Sequence, residues 1–205
     1  MTHDTLAVNK SIEKTIGSLK ERGHLPELVE SRDAALSRIK ELIPAGASVM
    51  NGSSRTLEEV GFIEYLKQEE HGWNNLHKGI LAEKDPTKQA ELRKQSVLSD
   101  YYLGSAHAIT ETGEIIVASN SGSQLPHLAF TSQNLILVVG TQKIVPTLDA
   151  AMRRLEEYVY PLEDARMREV GMGGSYVSKI LVINKEQPFM GRKSHIIFVN
   201  EKLGF

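Results

Sequence analysis

The chain contains no cysteine among its 205 residues. Without thiols it can form no disulfide, no thiolate nucleophile and no cysteine-ligated zinc or iron–sulfur centre. Positive charge is not in excess either, since 24 Lys and Arg residues stand against 26 Asp and Glu residues. Binding to a nucleic-acid backbone needs a basic surface, so we expect no nucleic-acid partner.

Long apolar runs are also missing from the sequence. No stretch approaches the roughly 20 apolar residues that a membrane-spanning helix needs, and the N-terminal region lacks the apolar core of a signal peptide. We therefore expect no membrane association and a cytoplasmic location. The seven histidines include no HExxH motif or close pair at ligand spacing, so no metal site is predicted.

Hydrophobic residues make up 40% of the chain and charged residues 24%, as in ordinary globular proteins. Helical spacing of apolar residues predicts two opening helices over about residues 4–43, separated near Gly23 to Pro26. Thr56 and Glu59 have the spacing of a capping box, which predicts a helix start near Thr56. Pro146 is expected in the first turn of a later helix that runs to Val159.

The segment from Leu135 to Val139 is apolar without interruption, which predicts a central strand covered on both faces. Two shorter apolar segments flank a turn at Glu111–Glu114 and indicate a hairpin. Helices and strands alternate along the rest of the chain. The sequence therefore predicts one α/β domain over residues 1–205, with a mostly parallel sheet and one hairpin.

Three polar loops follow predicted strands, where open α/β sheets collect their ligands. The first loop has small hydroxyl residues and a glycine, the second is a run of small polar residues that could form an anion nest, and the third carries a lysine directly after the central strand. The candidate ligand-binding residues in these loops are Asn51, Gly52, Ser53, Ser54, Thr56, Ser121, Gly122, Ser123, Gln124, Gly140, Thr141, Gln142 and Lys143.

Each loop also has an ordinary structural interpretation. The first could be a well-capped strand-to-helix turn, the second a solvated turn, and Lys143 a surface lysine. Glu111 on the hairpin is a candidate nucleophile or general base, although most carboxylates in turns are simply solvated. The sequence alone leaves these alternatives open.

Several stretches together resemble the lactate-utilisation (LUD) domain family over almost the whole chain. They are residues 52–61, Gly104 with residues 108–114, Gly140 with residues 143–146, Pro161 and the terminal residues 203–205. The resemblance implies a three-layer α/β sandwich like that of sugar-phosphate isomerases and CoA transferases. It also implies a part in bacterial oxidation of L-lactate to pyruvate beside an iron–sulfur subunit.

The chain departs from this family in one respect. Many LUD proteins have a cysteine-rich segment before the last strands, whereas residues 169–179 of this chain contain none. The chain thus resembles a cysteine-free subgroup and can bind no cofactor through cysteine; any other cofactor is left open. Electron transfer would then fall to another subunit.

Three functions follow as hypotheses. The first is an accessory or substrate-binding component of lactate utilisation that binds a small anionic or phosphorylated metabolite and works with an iron–sulfur lactate-oxidising subunit. The second, which rests on analogy of fold, is an independent transferase or isomerase that uses Glu111. The third is a metabolite sensor that binds a ligand without transforming it.

Overall fold

A six-stranded parallel sheet forms the centre of the computed structural model, which describes residues 3–205. Every neighbouring pair of its strands runs parallel. In spatial order the strands are Leu25–Val29 (β1), Lys193–Val199 (β10), Asn134–Gly140 (β7), Tyr101–Gly104 (β4), Ser48–Asn51 (β2) and Asn74–Asn75 (β3).

A smaller, mixed sheet lies against the first. Its strands, in spatial order, are Ile144–Val145 (β8), Ala108–Thr110 (β5), Ile115–Ser119 (β6) and Lys179–Ile183 (β9). β5 and β6 form the antiparallel hairpin, β9 adds antiparallel to β6, and β8 pairs parallel with β5.

Eight α-helices connect the strands within residues 3–205. They are Asn9–Glu21 (α1), Arg32–Leu42 (α2), Arg55–Glu59 (α3), Phe62–Lys67 (α4), Leu76–Ala82 (α5), Pro86–Gln95 (α6), Leu148–Arg154 (α7) and Tyr160–Glu169 (α8). The π-helical turn Leu155–Val159 joins α7 to α8, and a second such turn spans His127–Thr131. Within residues 3–205, no helix has the length and apolar character that a bilayer span requires.

The apolar run in β7 is buried on both faces, as the sequence predicts. Ile136 and Val138 pack with helix residues such as Ile39 on one face. Leu137 and its neighbours on the other face pack with Ile115 and further residues of the smaller sheet. Each such side chain contributes roughly 1.5–3 kcal/mol through its removal from water, so this strand stabilises the packing of the layers on both of its faces.

The predicted fold class is confirmed: the chain is an α/β three-layer sandwich with a mostly parallel sheet. Helices including α2 and α4 cover one face of the large sheet. The smaller sheet, with Leu19 of α1, covers the other face. Helix α7 packs through Ala150 and Ala151 on the smaller sheet.

Two local predictions were wrong. The opening region contains strand β1 between its two helices, where the sequence predicts only a break. This strand lies at the sheet edge, and Pro26 and Glu27 interrupt the apolar pattern that would indicate a strand. Pro146 precedes α7, whose N-cap is Thr147, and the helical region continues past Val159 to Glu169.

The capping box was wrong as well. Ser54, two residues before Thr56, is the N-cap of α3, and its hydroxyl accepts a hydrogen bond from the amide of Leu57. Thr56 is then free to turn its hydroxyl to the carbonyl of Leu203. The ordinary capping role of Ser54 therefore leaves Thr56 available for a contact far away in the sequence.

Candidate functional site

A cavity of about 290 Å³ lies where the first two polar loops meet. The loop after β2 forms one wall, the loop after β4 a second, and the loop after β6 a third. Helix α8, residues 175–177 and Phe205 complete the lining. The carboxyl ends of β2 and β4 thus open into the cavity, as expected for ligand sites in parallel sheets.

Lys143 is the most deeply buried cationic side chain in the wall of this cavity, with only 3% of its surface exposed. Its Nζ donates hydrogen bonds to Thr56 Oγ1 at 2.9 Å and to Ser105 Oγ at 3.2 Å. Among the ion pairs formed within residues 3–205, none includes Lys143. The ammonium group is therefore hydrogen-bonded but not neutralised by a directly contacting carboxylate.

Burial lowers the pKa of Lys143 to about 7, because an ammonium ion loses hydration inside the protein. The positive charge of Arg154 also lowers this pKa, while the negative charge of Glu59 has a smaller effect in the opposite direction. Near neutral pH both the ammonium and the free amine are populated. The group can thus attract an anion when protonated, or accept a proton when neutral.

The first loop brings small groups to the cavity. Gly52, Ser53, Ser54 and Thr56 all line it. A Cβ at Gly52 would lie 2.5 Å from Tyr102 Oη, so glycine is required for this close approach. Asn51 is buried beneath the loop and donates its amide to the carbonyl of Gly52, outside the lining.

The second loop presents hydroxyl and amide groups to the same space. Ser121, Ser123 and Gln124 line the cavity, whereas Gly122 lies behind it against Lys179. Gln124 is held on both sides, because its Nε2 donates to the carbonyl of Ala118 and its Oε1 accepts from Tyr102. This loop is therefore an ordered part of the wall.

Only the last residue of the third loop reaches the cavity. Gly140 lies against the backbone of residues 201 and 203, where a Cβ would come within 2.6 Å of the carbonyl of Glu201. Thr141 donates to Asn200, and Gln142 donates to the carbonyl of Leu203. These residues hold the C-terminal segment in place, while Lys143 alone faces the candidate ligand.

Glu111 lies on the hairpin, outside the cavity lining. Its carboxylate accepts hydrogen bonds from Ser11 at 2.5 Å and from Lys14 at 2.9 Å, and these partners lower its pKa. The carboxylate therefore stays ionised and engaged with α1. These contacts indicate a structural role, in which Glu111 links the hairpin to helix α1.

His107 in the cavity wall and Arg154 behind it are not among the candidate site residues predicted from the sequence. The His107 ring lines the cavity, and its Nδ1 accepts a hydrogen bond from the amide of Ala118. Burial lowers the pKa of His107 to about 3, so the ring is neutral and carries its proton on Nε2. Arg154 donates to the carbonyl of His107 from behind.

The opposite rim of the cavity comes from α8. Arg166 donates to Ser53 Oγ at 3.2 Å and forms an ion pair with Glu163 at 2.8 Å. The charge of Arg166 is thus balanced within the rim, in contrast to that of Lys143. Within residues 3–205, no group of three or more His, Asp or Glu side chains is arranged to hold a metal ion.

Comparison with known proteins decides the family. The model of the LUD domain matches residues 12–199. The chain belongs to the LUD-domain family. Membership supports a part in lactate utilisation at the level of the family.

A solved structure shares the fold of this LUD domain. It is described as a DUF162 family protein from Deinococcus radiodurans, and the match covers 95% of this chain and 98% of that one, with 12% identity and a TM-score of 0.52. At this identity the likeness concerns the fold alone. No curated protein sequence gives a significant match.

Proposed function

We propose that this LUD domain binds a small anionic metabolite in the cavity, with Lys143 as the anion-binding group. The observation that carries the proposal is the buried ammonium group of Lys143, which contacts two hydroxyls and, among residues 3–205, no carboxylate. A buried charge without a counter-ion is costly, so an anion that enters the cavity gains a strong electrostatic partner.

The size and chemistry of the cavity favour a small ligand. Its volume of about 290 Å³ is near the lower end of the usual range for small-molecule sites, roughly 300–1,000 Å³. Ser53, Ser121 and Ser123 supply hydroxyls that can donate to further oxygens of the ligand. A short hydroxy acid, keto acid or small phosphate ester has this combination of charge and oxygen atoms.

We further propose that the chain is an accessory or substrate-binding component of lactate utilisation. Oxidation of lactate to pyruvate removes an electron pair and two protons. A chain with no cysteine cannot hold a cysteine-ligated cluster to receive those electrons. An iron–sulfur partner subunit would supply that cluster, while this chain would bind the small anion.

Calorimetry tests the binding proposal directly. The purified protein should be titrated with L-lactate, pyruvate and glycerol 3-phosphate near neutral pH. We expect at least one of the three to bind saturably, and Lys143→Met to abolish that binding. Lys14→Met is the matched control, because Lys14 is an exposed lysine paired with Glu111 outside the cavity. The absence of binding by all three, or full binding by Lys143→Met, would refute the proposal.

The accessory role needs a second experiment. The tagged protein should be isolated from cells that grow on lactate, and the isolated material examined for iron–sulfur absorption. A stoichiometric iron–sulfur partner is the expected result. If the protein is isolated without a partner and converts the bound anion, it is an independent enzyme. If it binds the anion but neither converts it nor has an iron–sulfur partner, it is a sensor.

A further inference from the structure

A second cavity of about 200 Å³ is lined by Arg154 and by Gln142 and Ile144, the two neighbours of Lys143, and shares no lining residue with the first cavity. Strand β8, helix α7 and the N-terminal residues 3 and 5 surround it. Val145, Pro146 and Ala150 supply apolar wall, and Arg154 supplies a buried charge. None of the candidate residues for the first cavity except Gln142 borders it.

Arg154 makes incomplete use of its hydrogen-bond donors. Its side chain is fully buried, with 0% of its surface exposed. Nη1 donates to the carbonyl of His107 at 2.5 Å, and the guanidinium carbon lies 5.2 Å from the ring centre of Tyr158. Both Nε and Nη2 are buried and have no hydrogen-bond partner within residues 3–205.

The two unpartnered donors belong to the same edge of the guanidinium plane. Their N–H bonds run side by side, and this is the fork that receives both oxygens of a carboxylate. Leaving a buried donor without a partner destabilises the folded protein, and the effect is larger for a charged group. The Nε and Nη2 edge of the guanidinium is therefore suited to bind a planar group with two acceptor atoms.

The neighbouring acidic groups are engaged elsewhere. Asp4 pairs with Lys202 at 2.8 Å, and Glu157 contacts His3 at 3.4 Å. Within the described part of the chain, Arg154 forms no ion pair. The positive charge of Arg154 lowers the pKa of Lys143. Burial lowers the pKa of Arg154, while Tyr158 and Asp4 act to raise it without contacting its free donors. A carboxylate at the fork would therefore add the hydrogen bonds that these two residues do not supply.

We propose that the second cavity is a binding site for a small carboxylate, held bidentately by Nε and Nη2 of Arg154. This site is separate from the proposed anion site at Lys143 and does not depend on it. A carboxylate here would complete the hydrogen bonding of Arg154 while Nη1 keeps hold of His107. It would also offset the positive charge that acts on Lys143, so occupation of the second cavity would favour binding in the first.

The Nε–H resonance of Arg154 gives a direct readout. Protein labelled with ¹⁵N should be titrated with sodium acetate, with sodium chloride and sodium phosphate at matched ionic strength as comparisons. The titration is made on the Lys143→Met variant as well as on the wild type, so that binding in the first cavity cannot produce the signal. We expect acetate to shift the Arg154 Nε–H peak saturably in both proteins.

Two variants complete the test. Arg154→Lys keeps the charge but loses the fork, and should weaken acetate binding by about tenfold or more. Ala150→Leu is the alternative variant if Arg154→Lys does not fold. It narrows the cavity but keeps the guanidinium, and it should weaken acetate binding to a similar extent. An Arg154 peak that is unmoved by acetate overturns the proposal. An equal response to phosphate overturns its assignment to carboxylates.

Discussion

Lys143 donates to the hydroxyl of Thr56 at 2.9 Å, and that hydroxyl in turn donates to the carbonyl of Leu203 at 3.2 Å. The three residues come from the turn after β7, from α3 and from the C-terminal segment. This chain of hydrogen bonds fixes the ammonium group at the cavity. It also makes the position of the cation depend on how the C-terminal segment packs.

The buried charge of Lys143 predicts an unusual dependence of stability on pH. Its pKa is about 7 in the folded protein and 10.5 as the ordinary value, so the unfolded chain binds more protons between these values. The free energy of unfolding should therefore rise with pH across this window, by about 1.4 kcal/mol per pH unit from this group. Urea unfolding of wild type and Lys143→Met over that range measures it.

The comparison isolates Lys143 because all other titrating groups are shared. We expect Lys143→Met to be the more stable protein below about pH 7, with a difference that shrinks as pH rises. Parallel stability curves for the two proteins would show that the lysine titrates normally in the folded state.

Ligand binding should show the opposite trend. An anion binds the protonated form of Lys143, whose population falls above pH 7 or so. Affinity should thus fall by up to about tenfold per pH unit above this value, and binding near pH 8 should take up a proton. Calorimetry in buffers of different ionisation enthalpy measures the uptake, and an affinity that is constant from neutral to alkaline pH would count against the lysine.

The C-terminal segment should affect both stability and binding. Gly204 has a φ of +62°, and a Cβ there would lie 2.5 Å from Thr56 Oγ1 and 3.3 Å from Lys143 Nζ. We expect Gly204→Ala to destabilise the protein by about 1–3 kcal/mol and to weaken anion binding. Thermal unfolding and calorimetry give the two readouts.

Gly171→Ala is the matched control for this variant. Gly171 has a similar φ of +76°, but a Cβ there would meet no atom within 4 Å. Gly171→Ala should lose stability through backbone strain alone, and its anion binding should be unchanged. Equal losses of affinity in the two variants would exclude the collision with Thr56 and Lys143 as the cause.

Buried histidines predict a loss of stability in acid. Burial lowers the pKa to about 4 for His24, about 3 for His107 and about 4 for His127. Each is neutral in the folded protein at a pH where the unfolded chain binds a proton. Their contribution is complete above pH 6.5 and is lost as pH falls toward 4, with a limiting slope of at most about 1.4 kcal/mol per pH unit for each histidine.

Unfolding in urea between these pH values measures the slope. A stability that stays flat from pH 6.5 to about 4.5 would show that the histidines accept protons in the folded state. His127→Gln should reduce the slope by about one proton, since His127 accounts for one of the three groups.

The parts of the fold with strong local patterns were predictable from the sequence. Strand β7 has apolar residues on both faces, and its burial confirms the pattern. Strand β4 was not predicted, although it neighbours β7 in the sheet. It is only four residues long, and its Tyr101–Gly104 sequence gives too short a pattern to separate a strand from a packed loop.

The candidate site likewise contains residues whose place could be predicted from the sequence and residues whose place could not. The first loop and Lys143 follow strands β2 and β7 of the parallel sheet, so their meeting at one edge is a consequence of parallel topology. The second loop follows β6 of the smaller sheet and reaches the cavity only because the two sheets pack together. The roles of Gly140, Thr141 and Gln142 depend on the C-terminal segment about 60 residues away, and those of Glu111 on α1 about 100 residues away. Such contacts have no local signature, and the same holds for Arg154 behind His107.

The pKa of Lys143 tests the central claim most directly. The Cε resonance of Lys143, assigned by its absence in Lys143→Met, should be followed by NMR from acid to alkaline pH. The account predicts a midpoint near 7 in the free protein and a higher midpoint when the cavity is saturated with its anion. A midpoint near the ordinary 10.5, unchanged by ligand, would contradict it.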